Sequence, residues 1–224
     1  MPDQNPTFLI SAITVLVIAI TVHEFCHAYF ADLAGDPTPR YFGRVTLNPL
    51  KHLDPFGTIM MVMTVINGFG IGWGRPVLVT PSKMRNPRWD HFISVAAGPL
   101  SNLLQAVLFS VVFRVLAAQQ TQVSEGVFLF LILGVLINVS LFLFNLLPIG
   151  PLDGHWLVGA FLPDRARDKW YLWNRTTGSI ILLVLVLGGQ FARGTPFAFL
   201  DIIGSVLSPL SDVILRVLLG NPGI

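Results

Sequence analysis

The chain has 224 residues, of which 53% are hydrophobic and only 12% charged. Together with a mean hydropathy of +0.70, that composition excludes an ordinary soluble domain and predicts a polytopic membrane protein, since apolar runs of about 20 residues span a bilayer. The formal net charge of +2 is too small to point to nucleic acid, and a single cysteine, Cys26, excludes an internal disulfide framework.

The first apolar run covers residues 8–34, and its only charges are Glu24 and Asp32. No Lys or Arg precedes it and it is too long for a signal h-region, so no cleavable signal is expected. Gly35-Asp36-Pro37 stops it. Residues 41–50 mix β-branched and aromatic residues with turn formers, which predicts one or two short strands. Residues 54–70 are apolar but short. Arg40, Arg44 and Lys51 precede them, and Arg75, Lys83, Arg85 and Arg88 follow. The positive-inside rule wants both clusters in the cytoplasm, so 54–70 is expected to be re-entrant. Such backbone is tolerated at membrane depth only where protein buries it or a wet cavity meets it.

Spans over 92–118 and 126–147 follow, the second broken at Pro148-Ile149-Gly150-Pro151. Arg165, Arg167, Lys169 and Arg175 mark a cytoplasmic loop, and apolar segments at 178–191 and 196–219 complete the chain. The N-terminus is then outside and the C-terminus inside. The expected fold is an all-α polytopic membrane protein. Residues 1–160 form a three-helix core with a short β or re-entrant element between its first two helices. Residues 161–224 supply a loop and additional C-terminal helices.

The first run contains His23-Glu24-Phe25-Cys26-His27, an H-E-x-x-H pattern. Residues four apart share a helix face, so both histidines can reach one metal ion. Glu24 is placed to handle a water on that metal. Ionisable groups inside a membrane helix are costly and read as functional by default. Cys26 points off that face and reads as a packing residue. A catalytic zinc site usually takes three protein ligands and keeps one position for water. Asp153, just beyond the proline-broken helix end, is the best third candidate. An Asp-Gly turn is the other reading of that residue.

These residues resemble the site-2 protease family of intramembrane zinc metalloproteases. The resemblance covers roughly 8–160. H-E-x-x-H is followed by Ala97-Gly98-Pro99-Leu100-Ser101-Asn102 and then by Asn145, Pro148 and Leu152-Asp153-Gly154. It implies one zinc ion held by His23, His27 and Asp153, Glu24 as the catalytic carboxylate, and Asn145 as a polar group near the scissile peptide. His155 stands where the family often has Gly, and is read as an interfacial residue. The family's PDZ or CBS domains have no room here, so a minimal form is expected.

Zinc, Asp153 and ionised Glu24 sum to zero charge, which suits a low-dielectric site. The implied activity is hydrolysis of a peptide bond within or near a transmembrane segment of another protein, as in regulated intramembrane proteolysis. The partners are that substrate and the lipid bilayer, with no nucleic acid and no identifiable regulatory partner. The expected location is a prokaryotic cytoplasmic membrane, with the site opening to the cytoplasm. Water would reach the site past residues 68–74 and 148–151. An extended substrate could pair with an edge strand at 41–50. A metal transporter and an inactive relative are the competing readings. The first would spread donors along a path, and the second would lack part of the His23, Glu24, His27 and Asp153 set.

Overall fold

The computed structural model describes residues 5–67, 72–119, 123–192 and 201–220. Helix α1 (Pro6–Leu33) opens the chain. Asn5 caps it by accepting from the Thr7 amide at 2.9 Å, with Pro6 in the first turn where its missing N–H costs nothing. A short helix α2 (Thr38–Tyr41), α3 (Pro55–Asn67), α4 (Trp89–Ala118) and α5 (Glu125–Asn145) follow. The C-terminal part holds α6 (Asp153–Phe161), α7 (Asp164–Trp173), α8 (Ser179–Ala192) and α9 (Ile202–Leu219). Among the described residues, five helices are long and apolar enough to cross a membrane.

Helices α1, α4 and α5 pack on one another as the core. Where α1 and α4 meet, their buried faces are rich in small or polar residues: Ala12, Ala19, Ala28 and Ala31 from α1, Ser94, Ser101, Asn102 and Ala106 from α4; α5 adds Asn138 beside larger apolar residues such as Val135, Val139 and Leu143. The outward faces carry large apolar residues such as Ile10, Leu104, Leu108 and Leu136. That distribution suits a bilayer. Lipid gives large apolar groups no reason to turn inward, and small residues let backbones approach. Pro99 sits inside α4 without ending it, as neighbouring helices allow in a membrane. Helix α9 packs against α4 and α5 through Leu207, Ile214 and Leu218, and Ser110 Oγ donates to Leu218 O at 2.6 Å.

Between α1 and α4 the chain departs from expectation. Residues 41–50 form no strand. The end of α2, a turn at Gly43 and a 3-10 turn at Pro49–Lys51 occupy them. The reason is local: Arg44 N donates to Pro39 O at 2.9 Å and Thr46 N to Arg44 O at 2.9 Å, so the backbone folds on itself rather than toward a partner. A short apolar helix occupies most of the segment expected to be re-entrant. Asp54 caps α3 through the Gly57 amide at 2.9 Å. The helix has 13 residues, about 20 Å at 1.5 Å per residue, too short for a hydrocarbon core of about 30 Å. Leu53 pairs with Gly74 in an isolated antiparallel bridge, so the excursion returns to its start. Residues 68–71, part of the glycine-rich stretch, lie outside the described residues. Residues 75–80 form no regular secondary structure.

The expected loop at 161–177 is also replaced. Helix α7 runs through a π turn (Asn174–Gly178) into α8, giving one 28-residue helix over Asp164–Phe191. The charges on α7 label its exposed side rather than a break. Residues 196–200 of the last apolar segment, and 193–195 before it, lie outside the described residues.

Candidate metal centre

Four residues apart on α1, His23 and His27 turn their rings to the same place. Their Nε2 atoms lie 2.9 Å apart. Asp153 opens α6, directly after the broken end of α5, and brings Oδ2 to 3.2 Å from His23 Nε2 and 3.4 Å from His27 Nε2. Among the described residues this is the only group of three or more His, Cys, Asp or Glu with ligand atoms so close together.

The other ring nitrogens fix what those atoms are. His27 Nδ1 lies 2.8 Å from Ser94 O, a pure acceptor, so Nδ1 carries the proton. His23 is oriented through two asparagines in series. Asn138 Nδ2 donates to Gly134 O at 2.9 Å, so Asn138 Oδ1 faces Asn102. Asn102 Nδ2 donates to it at 2.9 Å. Asn102 Oδ1 is left to accept from His23 Nδ1 at 2.6 Å. With both imidazoles neutral, as metal ligands must be, both Nε2 atoms therefore present lone pairs, and they face a carboxylate oxygen. Asp153 Oδ2 is buried without a hydrogen-bond partner. Three acceptors converge with no donor among them, which is unfavourable unless a cation lies between. Their separations suit tetrahedral zinc with bonds of about 2.0–2.2 Å. Two imidazoles and one carboxylate, each imidazole with an outer hydrogen bond, are a fitting donor set for zinc.

A cavity of about 460 Å³ opens onto these atoms. Glu24, His91, Asn145 and Trp156 line it with the three candidates, and so do Val77, Leu78 and Val79 of the connection before α4. Glu24 Oε2 accepts from the Val77 amide at 3.1 Å. Asn145 faces the same cavity, with its Nδ2 donating to Leu141 O of its own helix at 3.0 Å. His155 is elsewhere. Its Nδ1 bonds Leu152 O, and its own carbonyl accepts from Trp170 Nε1 at 2.7 Å, which makes it a packing residue.

Arg44 changes the charge balance read from the sequence. It is 5% exposed, and its Nη2 lies 3.9 Å from Glu24 Oε2 while donating to Arg75 O. Burial pulls its pKa down and the Glu24 carboxylate pulls it up, with burial the larger effect. With zinc bound, the guanidinium raises the local sum from zero to about +1. Sequence reasoning also missed Ser94, Asn138 and His91. A polar residue in an apolar span is a signal of buried contact, but it does not name the partner.

The Bacillus subtilis protein YwhC, which its name assigns to the zinc metalloproteases, is 37% identical over 177 residues, covering 77% of this chain and 78% of that protein. The chain belongs to peptidase family M50. This site-2 protease family has a sequence profile that matches residues 114–188, from the end of α4 into α8. The M50 relative Rip2 of Mycolicibacterium smegmatis, also named as a zinc metalloprotease, is 32% identical over 184 residues, covering 77% of this chain and 67% of its own length. No solved structure matches the chain significantly. Membership makes this M50 chain a multi-pass membrane zinc metallopeptidase.

Proposed function

We propose that His23, His27 and Asp153 hold the zinc ion, that Glu24 is the general base, and that the substrate is a peptide bond within or near a transmembrane segment of another membrane protein. One observation carries this reading: three lone-pair acceptors, on a span and on the loop behind a second span, converge without a donor beside Glu24. Bound there, zinc supplies a Lewis acid that polarises a carbonyl and acidifies water. The remaining work belongs to the chain. Glu24 accepts the proton of the attacking water and later delivers it to the leaving amine. Asn145, on the cavity wall, holds substrate backbone. The Val77 amide and Arg44 hold Glu24 on the cavity side of α1, and the surplus positive charge favours the oxyanion that attack creates.

A helical substrate must unwind before its carbonyl is reachable. Residues 77–79, which line the cavity, rather than 41–50, then offer the backbone beside which an extended peptide lies. The positive clusters around 40–51 and 75–88 support a site that opens to the cytoplasm of a prokaryotic cell membrane, and regulated intramembrane proteolysis is the setting that fits. The test pairs wild type with Glu24→Gln, reading zinc by elemental analysis and cleavage of model transmembrane substrates in detergent. Both proteins should hold about one zinc, and only wild type should cleave. Equal cleavage would remove Glu24 from the mechanism, and zinc in neither would remove the ligand assignment.

A further inference from the structure

We propose that Asn174, outside the cavity and on the C-terminal helix, is a positioning residue for Asp153. The inference rests on the reading of Asp153 as a zinc ligand. Asp153 Oδ2 is buried and accepts no hydrogen bond, so the aim of the carboxylate depends on where the backbone before it is fixed. That backbone is the loop from Leu146 to Leu152. Three residues before Asp153, the Gly150 amide donates to Asn174 Oδ1 at 2.6 Å. Asn174 is 0% exposed, and its Nδ2 donates to Trp170 O at 3.1 Å, which orients the amide so that oxygen faces Gly150.

The surroundings support a built latch rather than a chance contact. Asn174 begins the π turn Asn174–Gly178, the one place where the long C-terminal helix departs from α geometry. Such insertions often re-aim a side chain at functional sites. The approach is close: a Cβ on Gly150 would lie 2.6 Å from Asn174 O, so no larger residue fits there without displacement. One turn earlier, Trp170 Nε1 donates to His155 O at 2.7 Å. The same helix therefore grips the chain three residues before Asp153 and two residues after it. The C-terminal helix thereby acquires a role in the metal centre without contributing a ligand.

The experiment measures zinc affinity of the purified full chain in detergent, by competition with a chelator of known affinity. The proteins are wild type, Asp153→Ala, Asn174→Ala, the double variant and Ser179→Ala. Ser179 Oγ donates to Asn174 O at 3.1 Å, so its loss disturbs the same turn but spares the Gly150 contact. Asn174→Ala should bind zinc about 10- to 100-fold more weakly than wild type, the usual cost of losing an outer partner. Ser179→Ala should match wild type, and Asn174→Ala should add nothing in the Asp153→Ala background. Wild-type affinity in Asn174→Ala overturns the proposal. An equal loss in Ser179→Ala also overturns it, since the cause would be general loosening. Wild-type affinity in Asp153→Ala overturns the ligand assignment and the inference with it. Where Asn174→Ala does not fold, Asn174→Gln replaces it. That variant keeps an amide but moves its oxygen one methylene away from the Gly150 contact, so it should bind zinc about tenfold more weakly, whereas wild-type affinity overturns the proposal.

Discussion

The two sides of the candidate metal centre are held in different ways. His23 and His27 belong to one continuous helix, and buried side chains and backbone of α4 and α5 fix both rings. Asp153 and the segment over Glu24 belong to loops and loop ends, held mainly through backbone atoms: Gly150 by Asn174, Arg75 by His52, Val77 by Glu24. The helix side derives its precision from packing of the span itself. The loop side derives it from a few long-range hydrogen bonds, so it should yield first. Substrate access calls for such a division, because a peptide can enter only where something moves.

The sharpest way to break the helix side is through Gly98. A Cβ built there would lie 2.3 Å from both Cε1 and Nε2 of His27 and 2.9 Å from Cε1 of His23. Only glycine lets α4 meet the imidazoles so closely. Gly98→Ala must push the rings apart or displace α4, an overpacking cost of roughly 1–3 kcal/mol. The zinc site should be lost or weakened by more than any outer-partner change produces, and chelator competition with thermal unfolding on the same samples would show it. Zinc affinity equal to wild type would mean that α4 shifts freely, and that the histidine side is no stiffer than the loop side.

A gentler probe reaches His23 from two residues away. Asn138→Leu removes the nearer acceptor of Asn102 Nδ2 and leaves only Ala19 O, at 3.4 Å, to orient the amide. The His23 tautomer is then less firmly enforced. Zinc affinity should fall about tenfold, the lower end of what outer partners contribute. Asn102→Leu, one step nearer, should cost more. The reversed order would show that Asn138 serves packing between α4 and α5 rather than the ring.

The sequence made the helix side largely readable, because His23, Glu24 and His27 are a local pattern whose geometry follows from helical spacing alone. Asp153 is different: its distance from the histidines is a tertiary fact. Its place after a proline-broken span made it the best third candidate, with an Asp-Gly turn as the other reading, and the resemblance favoured the ligand. Ser94, Asn102 and Asn138 were visible as polar residues in apolar spans, yet nothing in the spacing says which ring each one meets. Composition misled twice. The β-branched residues at 41–50 suggested strands, but Pro39, Gly43 and Pro49 let the backbone close on itself. The charges at 165–175 suggested a loop, but they lie on α7 and the π turn after it, in a helix that continues into an apolar segment long enough to span. Arg44 was read as a topology signal and is buried beside Glu24.

Acid offers a way to separate the two sides without mutating the centre. His52 is 0% exposed and belongs to the loop side: its Nε2 donates to Thr46 O at 2.7 Å and its carbonyl accepts from the Arg75 amide at 2.7 Å. Nδ1 is buried without a partner, so a second proton would have no acceptor. Burial foremost, and then the Arg44 charge, hold its pKa below the ordinary 6.5. The sign follows from which state binds the proton. Above pH 6.5 both folded and unfolded chains carry neutral His52, and its contribution is intact. Below it the unfolded chain protonates first, so stability falls with pH until the folded value is reached. Amide exchange corrected for intrinsic rates, compared at about pH 7.5 and about pH 5.5, should rise over 44–54 and 72–80 and change less in the core of α4. His52→Gln keeps an amide donor for Thr46 and cannot titrate, so that local rise should disappear. An equal rise in the variant would clear His52, and a uniform rise along the chain would show that the helix and loop sides open as one unit.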